Sequence, residues 1–243
     1  MNKVLLYFSQ TIMTNILFLD IETVPAEEVY SSLDERMQSL WDHKAHRIAA
    51  EETPDVAYAR AGIYAEFGKI VCISAGFIYE EAGEDRLRIT SFLGDEKEIL
   101  SNFFEKVSAF FNGKPKQFCG HNIKEFDIPY ICRRAIIRRI KMPTVLSELQ
   151  TKKPWEIPLL DTLQLWKFGD YKHYTSLDLM ATVLDIETPK SDISGADVAR
   201  VYYKEKDIER IKTYCEKDVL TTVQVYRRLN QKELLPSSVV EFI

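Results

Sequence analysis

An apolar run that ends in acidic residues near the start of the chain limits the folds open to this sequence. Residues 16–19 are all apolar, and Asp20 and Glu22 follow closely. A continuous apolar run is typical of a buried strand, here one whose carboxyl end reaches a site. Successive strand side chains point to opposite faces, so Asp20 and Glu22 share one face while Ile21 points into the core. The segment predicts two carboxylates at one strand end.

The pattern of the remaining chain predicts an α/β fold. Residues 69–78 and 87–92 are typical of two more strands joined through an acidic turn at 80–85, which predicts an antiparallel meander with the first strand. Apolar residues at helical spacing predict a helix over 96–111 that ends at Asn112-Gly113. The later segments predict a strand at 116–120, a helix at 127–139, a strand at 158–161 and mostly helix from Ser176 onward, with one more helix closing the chain after Val219. This alternation predicts a mixed β-sheet flanked by α-helices.

The chain is interpreted as a single domain over residues 1–243, since no linker or internal repeat divides it. Residues 1–12 are interpreted as an N-terminal extension, because Met13 directly precedes the segment 14–19 that leads into the first strand. Residues 25–66 are charged and helical in composition, with apolar positions near helical period around Trp41. We interpret that segment as a helical insertion over one edge.

Composition narrows the function classes. The net charge of −5 disfavours broad, passive nucleic-acid binding, which depends on basic surface, but it permits an enzyme whose bound metals meet phosphate. The apolar run at residues 4–8 is too short to span a bilayer, so no membrane anchor is expected. The four cysteines lack the spacing of a zinc site or a disulfide framework. Reduced thiols and a cytoplasmic location are expected.

Acidic residues in three distant segments fit one shared metal site. They are Asp20 and Glu22, Asp127, and Asp218. Carboxylate oxygens are hard ligands suited to Mg²⁺ or Mn²⁺. Tyr214 and Asp218 lie four residues apart on a predicted helix and therefore share a face. Without cations the four carboxylates would repel one another, so the cluster is physically reasonable only with metal.

The chain contains an internal comparison for the first motif. Residues 184–188 repeat the pentapeptide LDIET of residues 19–23 letter for letter. The repeat lacks a preceding apolar strand, follows a helical run and leads into Pro189. We therefore interpret Asp185 and Glu187 as solvated turn acids.

Simpler interpretations of several residues stay open at this point. Asp20 and Glu22 taken alone fit surface acids at a strand end, and Tyr214 and Asp218 taken alone fit a packing ring and a surface charge. A basic segment follows Asp127 and is interpreted as a solvated helix face; it comprises Arg133, Arg134, Arg138, Arg139 and Lys141. Asp161 is interpreted as the N-cap of the helix that follows it.

Three motifs in this order and at this wide spacing resemble those of the DEDD 3′–5′ exonucleases, which have an RNase H-like fold. They occupy residues 20–22, 122–130 and 214–218. Histidine-type members carry His five residues before the last Asp, where this chain has Thr213, so Tyr214 is similar to the tyrosine type (DEDDy). The second motif is most similar to the proofreading exonuclease domain of family B DNA polymerases. The length of the chain indicates a stand-alone relative of that domain.

The resemblance implies roles for these residues. Two Mg²⁺ or Mn²⁺ ions would be held by the four carboxylates, with Asp20 between them, Glu22 and Asp218 at one and Asp127 at the other. Tyr214 would orient the attacking water. Asn122 and Phe126 would contact the terminal nucleotides through hydrogen bonding and base packing. A purely structural role for Phe126 stays open.

The function implied is hydrolysis of phosphodiester bonds at single-stranded or frayed 3′ DNA ends, with release of nucleoside 5′-monophosphates. Such an enzyme would serve DNA repair or proofreading, with a replication or repair protein as partner. One alternative is a 3′–5′ exoribonuclease like RNase D, which shares the tyrosine-type third motif, so RNA stays open as a substrate. Another is an inactive module that binds nucleic acid or protein.

Overall fold

The computed structural model describes residues 13–113, 115–170, 174–187 and 192–243, so the predicted extension at residues 1–12 lies outside the described part. Its centre is a six-stranded sheet in the order β5-β4-β1-β2-β3-β6. The strands are β1 (Ile16–Pro25), β2 (Gly68–Glu81), β3 (Glu84–Phe92), β4 (Gln117–Gly120), β5 (Leu159–Asp161) and β6 (Val240–Phe242).

Helices surround the sheet, and the longest of them begin at side-chain caps. Asp95 accepts a hydrogen bond from the Lys97 amide, and Asp207 accepts one from the Arg210 amide. The α-helices are α1 (Glu35–Ile48), α2 (Pro54–Ala57), α3 (Glu96–Phe110), α4 (Asp127–Arg138), α5 (Thr144–Ser147), α6 (Thr162–Lys167), α7 (Leu177–Val183), α8 (Val198–Arg200) and α9 (Ile208–Leu229), and a π-helix spans Val201–Glu205. None of the described helices has the length and apolarity that crossing a membrane requires.

The predicted antiparallel meander is confirmed. β1 runs antiparallel to β2 and β2 antiparallel to β3, whereas β4 is parallel to β1, β5 to β4, and β6 to β3. The turn between β2 and β3 is only Ala82 and Gly83, both with positive φ. A two-residue turn with positive φ at both residues matches the right-handed twist of the two strands. The turn is therefore shorter than the predicted turn at residues 80–85, and both strands extend into that acidic stretch.

Alternating side chains of β1 divide the core between the two faces of the sheet. Leu17, Leu19 and Ile21 pack in the cluster that holds α3 and α4. Ile16 and Phe18 pack in the opposite cluster, against Val219, Val223 and Tyr226 of α9. The α/β prediction of a mixed sheet flanked by helices is confirmed. Asp20 lies on the same face of β1 as Ile16 and Phe18 and therefore faces α9.

The segment predicted as a helical insertion contains α1, α2 and short 3₁₀ helices. It has its own small cluster around the buried Trp41 and Tyr58. The Trp41 indole donates a 2.7 Å hydrogen bond to the carbonyl of Pro54, which satisfies its one polar group. Its status as an insertion stays a prediction.

Two local predictions need correction. β1 does not end at its two acids but continues to Pro25, since β2 pairs with it as far as that residue, with a register shift after Glu22. The chain was expected to close with a helix after Val219, but a further strand follows α9. That strand, β6, is only three residues long, too short to show a period in the sequence, and Glu241 anchors it through ion pairs with Arg86 and Arg88.

The basic segment of α4 is not uniformly solvated. Arg134 is 6% exposed and holds the Glu96 carboxylate through two bonds, Nε to Oε1 at 2.8 Å and Nη2 to Oε2 at 2.6 Å. It also donates to the Ala65 carbonyl, and Glu96 accepts from the Ile70 amide. The pair ties α3 and α4 to β2, while Arg133 stays exposed as predicted.

Candidate functional site

A cleft of about 880 Å³ opens beside β1 and is lined by all seven residues singled out from the sequence. β1 contributes Asp20 and Glu22, and α9 contributes Tyr214 and Asp218. The loop before α4 contributes Asn122 and Phe126, and Asp127 is the first residue of α4. Three distant segments of chain therefore meet at one concave surface.

The two acids of β1 lie side by side with a cysteine. Oxygens of Asp20 and Glu22 and the sulfur of Cys215 all lie within 4.8 Å of one another. Burial raises the pKa of Asp20 well above its usual range, and the charges of Asp127 and Asp218 raise it further. Burial likewise raises the pKa of Glu22, with Asp20 as the next cause. The strand end concentrates negative charge that water screens poorly.

Asp127 begins α4 and is almost fully buried, at 2% exposure. Burial raises its pKa from 3.8 to about 7, although hydrogen bonds from its own amide and that of Ile21 act in the opposite direction. Its Oδ1 is buried and has no hydrogen-bond partner among the described residues. A buried carboxylate oxygen without a partner is rare and indicates a missing electropositive neighbour.

Tyr214 and Asp218 act as a hydrogen-bonded pair on α9. Burial raises the pKa of Asp218 to about 6, and the hydrogen bond from Tyr214 limits the rise. Burial and the Asp218 charge raise the pKa of Tyr214 far above its usual value of 10. The phenol is therefore protonated at neutral pH and can donate, but it cannot serve as a base.

These residues fit a divalent cation. The donors are hard carboxylate oxygens, and burial raises the pKa of all four acids. The neighbouring carboxylates raise the pKa values of Asp20 and Glu22 further, and Asp127 Oδ1 lacks a partner among the described residues. A cation would offset the repulsion and supply that partner.

Asp161 shapes the loop that carries Asn122. It is fully buried and accepts hydrogen bonds from the amides of Asn122, Lys124 and Leu163 at 3.0, 3.1 and 3.0 Å. Its predicted role as the N-cap of α6 is confirmed. The loop holds Asn122 at a φ of 61°. Its side chain lines the cleft, and its Oδ1 is buried with no hydrogen-bond partner in the described structure.

Phe126 fits both interpretations left open by the sequence. The ring is half-buried, packs against the core, and lies 5.4 Å from Tyr130 between ring centroids. The same residue also lines the cleft. Its inner side stabilises the fold while its outer side is available to a ligand.

Sequence reasoning missed two residues at the site. The Cys215 thiol lies 3.4 Å from the backbone oxygen and from Oδ2 of Asp20, and burial raises its pKa, so it donates to that acid. Tyr174 lines the cleft and is 66% exposed. Its backbone neighbour Thr175 accepts a 2.9 Å hydrogen bond from His121. Cys215 lies within the third motif but had no role assigned there, and Tyr174 belongs to no motif, so only the fold reveals what these residues contact.

The repeated pentapeptide behaves as predicted. Asp185 and Glu187 are exposed and follow the end of α7, and Asp185 adopts a positive φ of 52°. Neither residue lines the acidic cleft. The same two acids therefore lie in a strand in one context and are exposed after the end of a helix in the other.

A mixed sheet between helices, with carboxylates at its central strand, is the arrangement of an RNase H-like fold. The family model described as a predicted 3′-5′ exonuclease related to the exonuclease domain of PolB matches residues 63–235. The chain belongs to this family. β1, with Asp20 and Glu22, lies before the matched residues.

A solved structure supports the fold. The family B DNA polymerase from the hyperthermophilic archaeon Pyrobaculum calidifontis matches with a TM-score of 0.55 and 16% sequence identity. The match covers 88% of this chain and 24% of the polymerase, so this chain spans about a quarter of that protein's length. At this identity the likeness shows the fold, and the prediction of an RNase H-like α/β fold is confirmed. No curated protein matches the sequence significantly.

Proposed function

We propose that this chain is a metal-dependent 3′–5′ exonuclease of the tyrosine type that acts on single-stranded or frayed DNA ends. The observation that carries the proposal is the convergence of Asp20, Glu22, Asp127 and Asp218 with Tyr214 in one cleft. The family supports nuclease activity, and its relation to a DNA polymerase domain supports DNA as the substrate.

The four carboxylates would hold divalent cations, two Mg²⁺ or Mn²⁺ by the resemblance. Bound divalent ions lower the pKa of water and stabilise the charge that develops on a leaving oxygen. The chain's own contribution is to hold the acids close together at neutral pH. Cys215 supports this by donating its thiol hydrogen to Asp20.

Tyr214 has a positioning role in this proposal. Its raised pKa keeps the hydroxyl protonated, so it orients a water molecule and does not remove a proton from it. The hydrogen bond to Asp218 fixes the hydroxyl at the edge of the cleft. Tyr214→Phe would keep the ring and its packing while removing this contact.

The opposite wall suits the end of a nucleic-acid strand. The Asn122 side chain lines the cleft, and its amide group can form a hydrogen bond with a terminal sugar hydroxyl. The exposed side of Phe126 can pack against a base, a contact worth roughly 1–3 kcal/mol. These contacts recognise a strand end without requiring a basic surface, in agreement with the net charge of −5.

The test is degradation of 5′-labelled single-stranded DNA and RNA of the same sequence in Mg²⁺, Mn²⁺ or EDTA. Asp20→Asn and Asp185→Asn are matched variants, because each changes the same residue of the same pentapeptide. A ladder of strands shortened from the 3′ end is expected from the wild-type and Asp185→Asn proteins. EDTA and Asp20→Asn should abolish it.

Other outcomes select the alternatives. Shortening of RNA but not DNA would replace the proposal with an exoribonuclease like RNase D. Full-length strands in every metal, together with binding that EDTA does not change, would assign the chain as an inactive binding module.

A further inference from the structure

A second pocket, of about 320 Å³, lies near the end of β1 and is lined by lysines and tyrosines. Its walls are Lys69, Tyr202, Tyr203, Lys206 and Ile208. The Lys69 ammonium lies 5.2 Å from the centre of the Tyr202 ring and 5.1 Å from that of Tyr203. The Lys206 ammonium lies 5.7 Å from the same Tyr203 ring. Two cations therefore converge on one aromatic surface.

The aromatic floor of the pocket is firmly held. The Tyr203 hydroxyl shares its one hydrogen between the carbonyls of Pro25 and Ala26, at 2.6 and 3.0 Å. The Tyr202 and Tyr203 rings stand at 88° to each other with centroids 5.0 Å apart. Both belong to the π-helix, a rare conformation that is frequent at functional sites. Lys206 follows it at a φ of 57°.

The charges around the pocket leave these two lysines without ion-pair partners. No carboxylate of the described residues forms an ion pair with Lys69 or Lys206. The charges of Glu27 and Glu96 raise the pKa of Lys69 without forming an ion pair with it. Glu96 is already paired with Arg134.

Lys204, between the two tyrosines and Lys206 in sequence, differs from the pocket lysines. Lys204 forms an ion pair with Glu28. The charge of Lys206 also lowers the pKa of Glu28, but Lys206 is not paired with it. Lys69 and Lys206 in turn repel each other. An anion in the pocket would relieve that repulsion.

Two elements, β2 and α9, connect this pocket to the acidic cleft. Lys69 pairs with Val24 in the sheet, and Cys72, three residues along β2, pairs with Glu22. Three strand residues span roughly 10 Å. Ile208 begins α9, whose next turns carry Tyr214 and Asp218, and the six residues to Tyr214 span roughly 9 Å. A strand whose end lies in the cleft can reach the pocket within its first few nucleotides.

We propose that this pocket binds a phosphodiester group of the strand that enters the cleft. Lys69 and Lys206 would contact the phosphate oxygens, and the tyrosine rings would hold the lysine side chains in place. The inference rests on the proposed exonuclease function and adds a contact for the strand upstream of its cleaved end. It also explains how a chain with a net charge of −5 holds a polyanion.

The experiment measures binding of a 5′-fluorescein-labelled thymidine oligonucleotide by anisotropy in EDTA over a series of KCl concentrations. The variants are Lys69→Gln/Lys206→Gln, the charge-preserving Lys69→Arg/Lys206→Arg, and Lys204→Gln as the control from the same π-helix. For single strands, each lost phosphate contact reduces the slope of log K against log salt by about 0.7. The kcat and KM for strand shortening in Mn²⁺ are measured in parallel.

The glutamine pair is expected to show a smaller salt slope and a higher KM at unchanged kcat. The arginine pair and Lys204→Gln should match the wild-type protein. Inorganic phosphate should compete with the oligonucleotide less effectively for the glutamine pair, if free phosphate and strand phosphate share the pocket.

Two results would overturn the proposal in distinguishable ways. If the wild-type protein shortens the strand and the glutamine pair has the same salt slope and KM, the pocket is no phosphate site while the exonuclease stands. If the wild-type protein neither binds nor shortens any strand, the proposed function fails and this inference with it.

Discussion

Replacing Asp127 with Asn should stabilise the metal-free protein at pH 8. The carboxylate is buried, one of its oxygens lacks a partner, and burial raises its pKa from 3.8 to about 7. A raised folded-state pKa means that the folded protein binds more protons than the unfolded chain, so stability falls as pH rises from about 4 to about 7. Asn has nearly the same shape but carries no charge.

The size of the effect follows from the pKa. Each tenfold change in proton affinity is worth about 1.4 kcal/mol, so a rise from 3.8 to about 7 corresponds to roughly 4 kcal/mol at pH 8. The new amide N–H₂ group in the buried site costs about 1–2 kcal/mol where it lacks an acceptor. We therefore expect Asp127→Asn to raise the free energy of unfolding by about 2–3 kcal/mol.

The assay is urea unfolding in EDTA at pH 5 and pH 8, followed by circular dichroism. The gain from Asp127→Asn should shrink at pH 5, because the wild-type carboxyl is then protonated in the folded protein. In Mn²⁺ the order should reverse, since only the wild-type protein keeps the full ligand set and is stabilised by binding. Asp185→Asn, at an exposed site, should change stability by less than about 0.5 kcal/mol. An Asp127→Asn protein no more stable than wild type at pH 8 in EDTA would refute the electrostatic argument.

Three further predictions concern the core and the cleft. Arg134→Met should lower the free energy of unfolding by about 1–3 kcal/mol because the buried Glu96 carboxylate loses its two-pronged partner and keeps only the Ile70 amide and Arg138, whose Nε lies 3.2 Å away, whereas Arg133→Met should be nearly neutral in the same urea titration. Tyr214→Phe should lower kcat more than it weakens Mn²⁺ binding measured by calorimetry, because the role proposed for the phenol is to orient water and not to hold metal. Tyr174→Ala should weaken strand binding by anisotropy, as expected of an exposed ring that lines the cleft, while Phe168→Ala, at an exposed ring outside it, should not.

Each of these has a clear contradicting result. Equal unfolding free energies for the Arg134 and Arg133 variants would show that the buried pair contributes nothing. An unchanged kcat in Tyr214→Phe would remove the phenol from the mechanism. Equal loss of binding in the Tyr174 and Phe168 variants would mean that the cleft position of Tyr174 is irrelevant.

The sequence predicts those elements and site residues that are marked by a local pattern of residue types. The apolar run before Asp20 indicates β1 and the orientation of both acids, and the four-residue spacing of Tyr214 and Asp218 indicates their shared helix face. The repeated pentapeptide shows why context is needed, since Asp185 has the same neighbours as Asp20 but lies in a solvated turn.

Features that depend on contacts between distant parts of the chain could not be predicted from the sequence. β6 is too short to show a period, and only its partner β3 makes it a strand. Arg134 has an ordinary basic sequence context, and its burial follows from Glu96, 38 residues away. Cys215 reaches Asp20 only because α9 packs across β1, 195 residues away along the chain.

The most direct test of the central claim is the first product released from a DNA strand labelled at its last phosphodiester. In Mn²⁺ the wild-type and Asp185→Asn proteins should release the label as a nucleoside 5′-monophosphate, and Asp20→Asn or EDTA should prevent release. Label that stays in full-length strand, or that leaves first within an oligonucleotide, would contradict the assignment of the acidic cleft as a 3′–5′ exonuclease site.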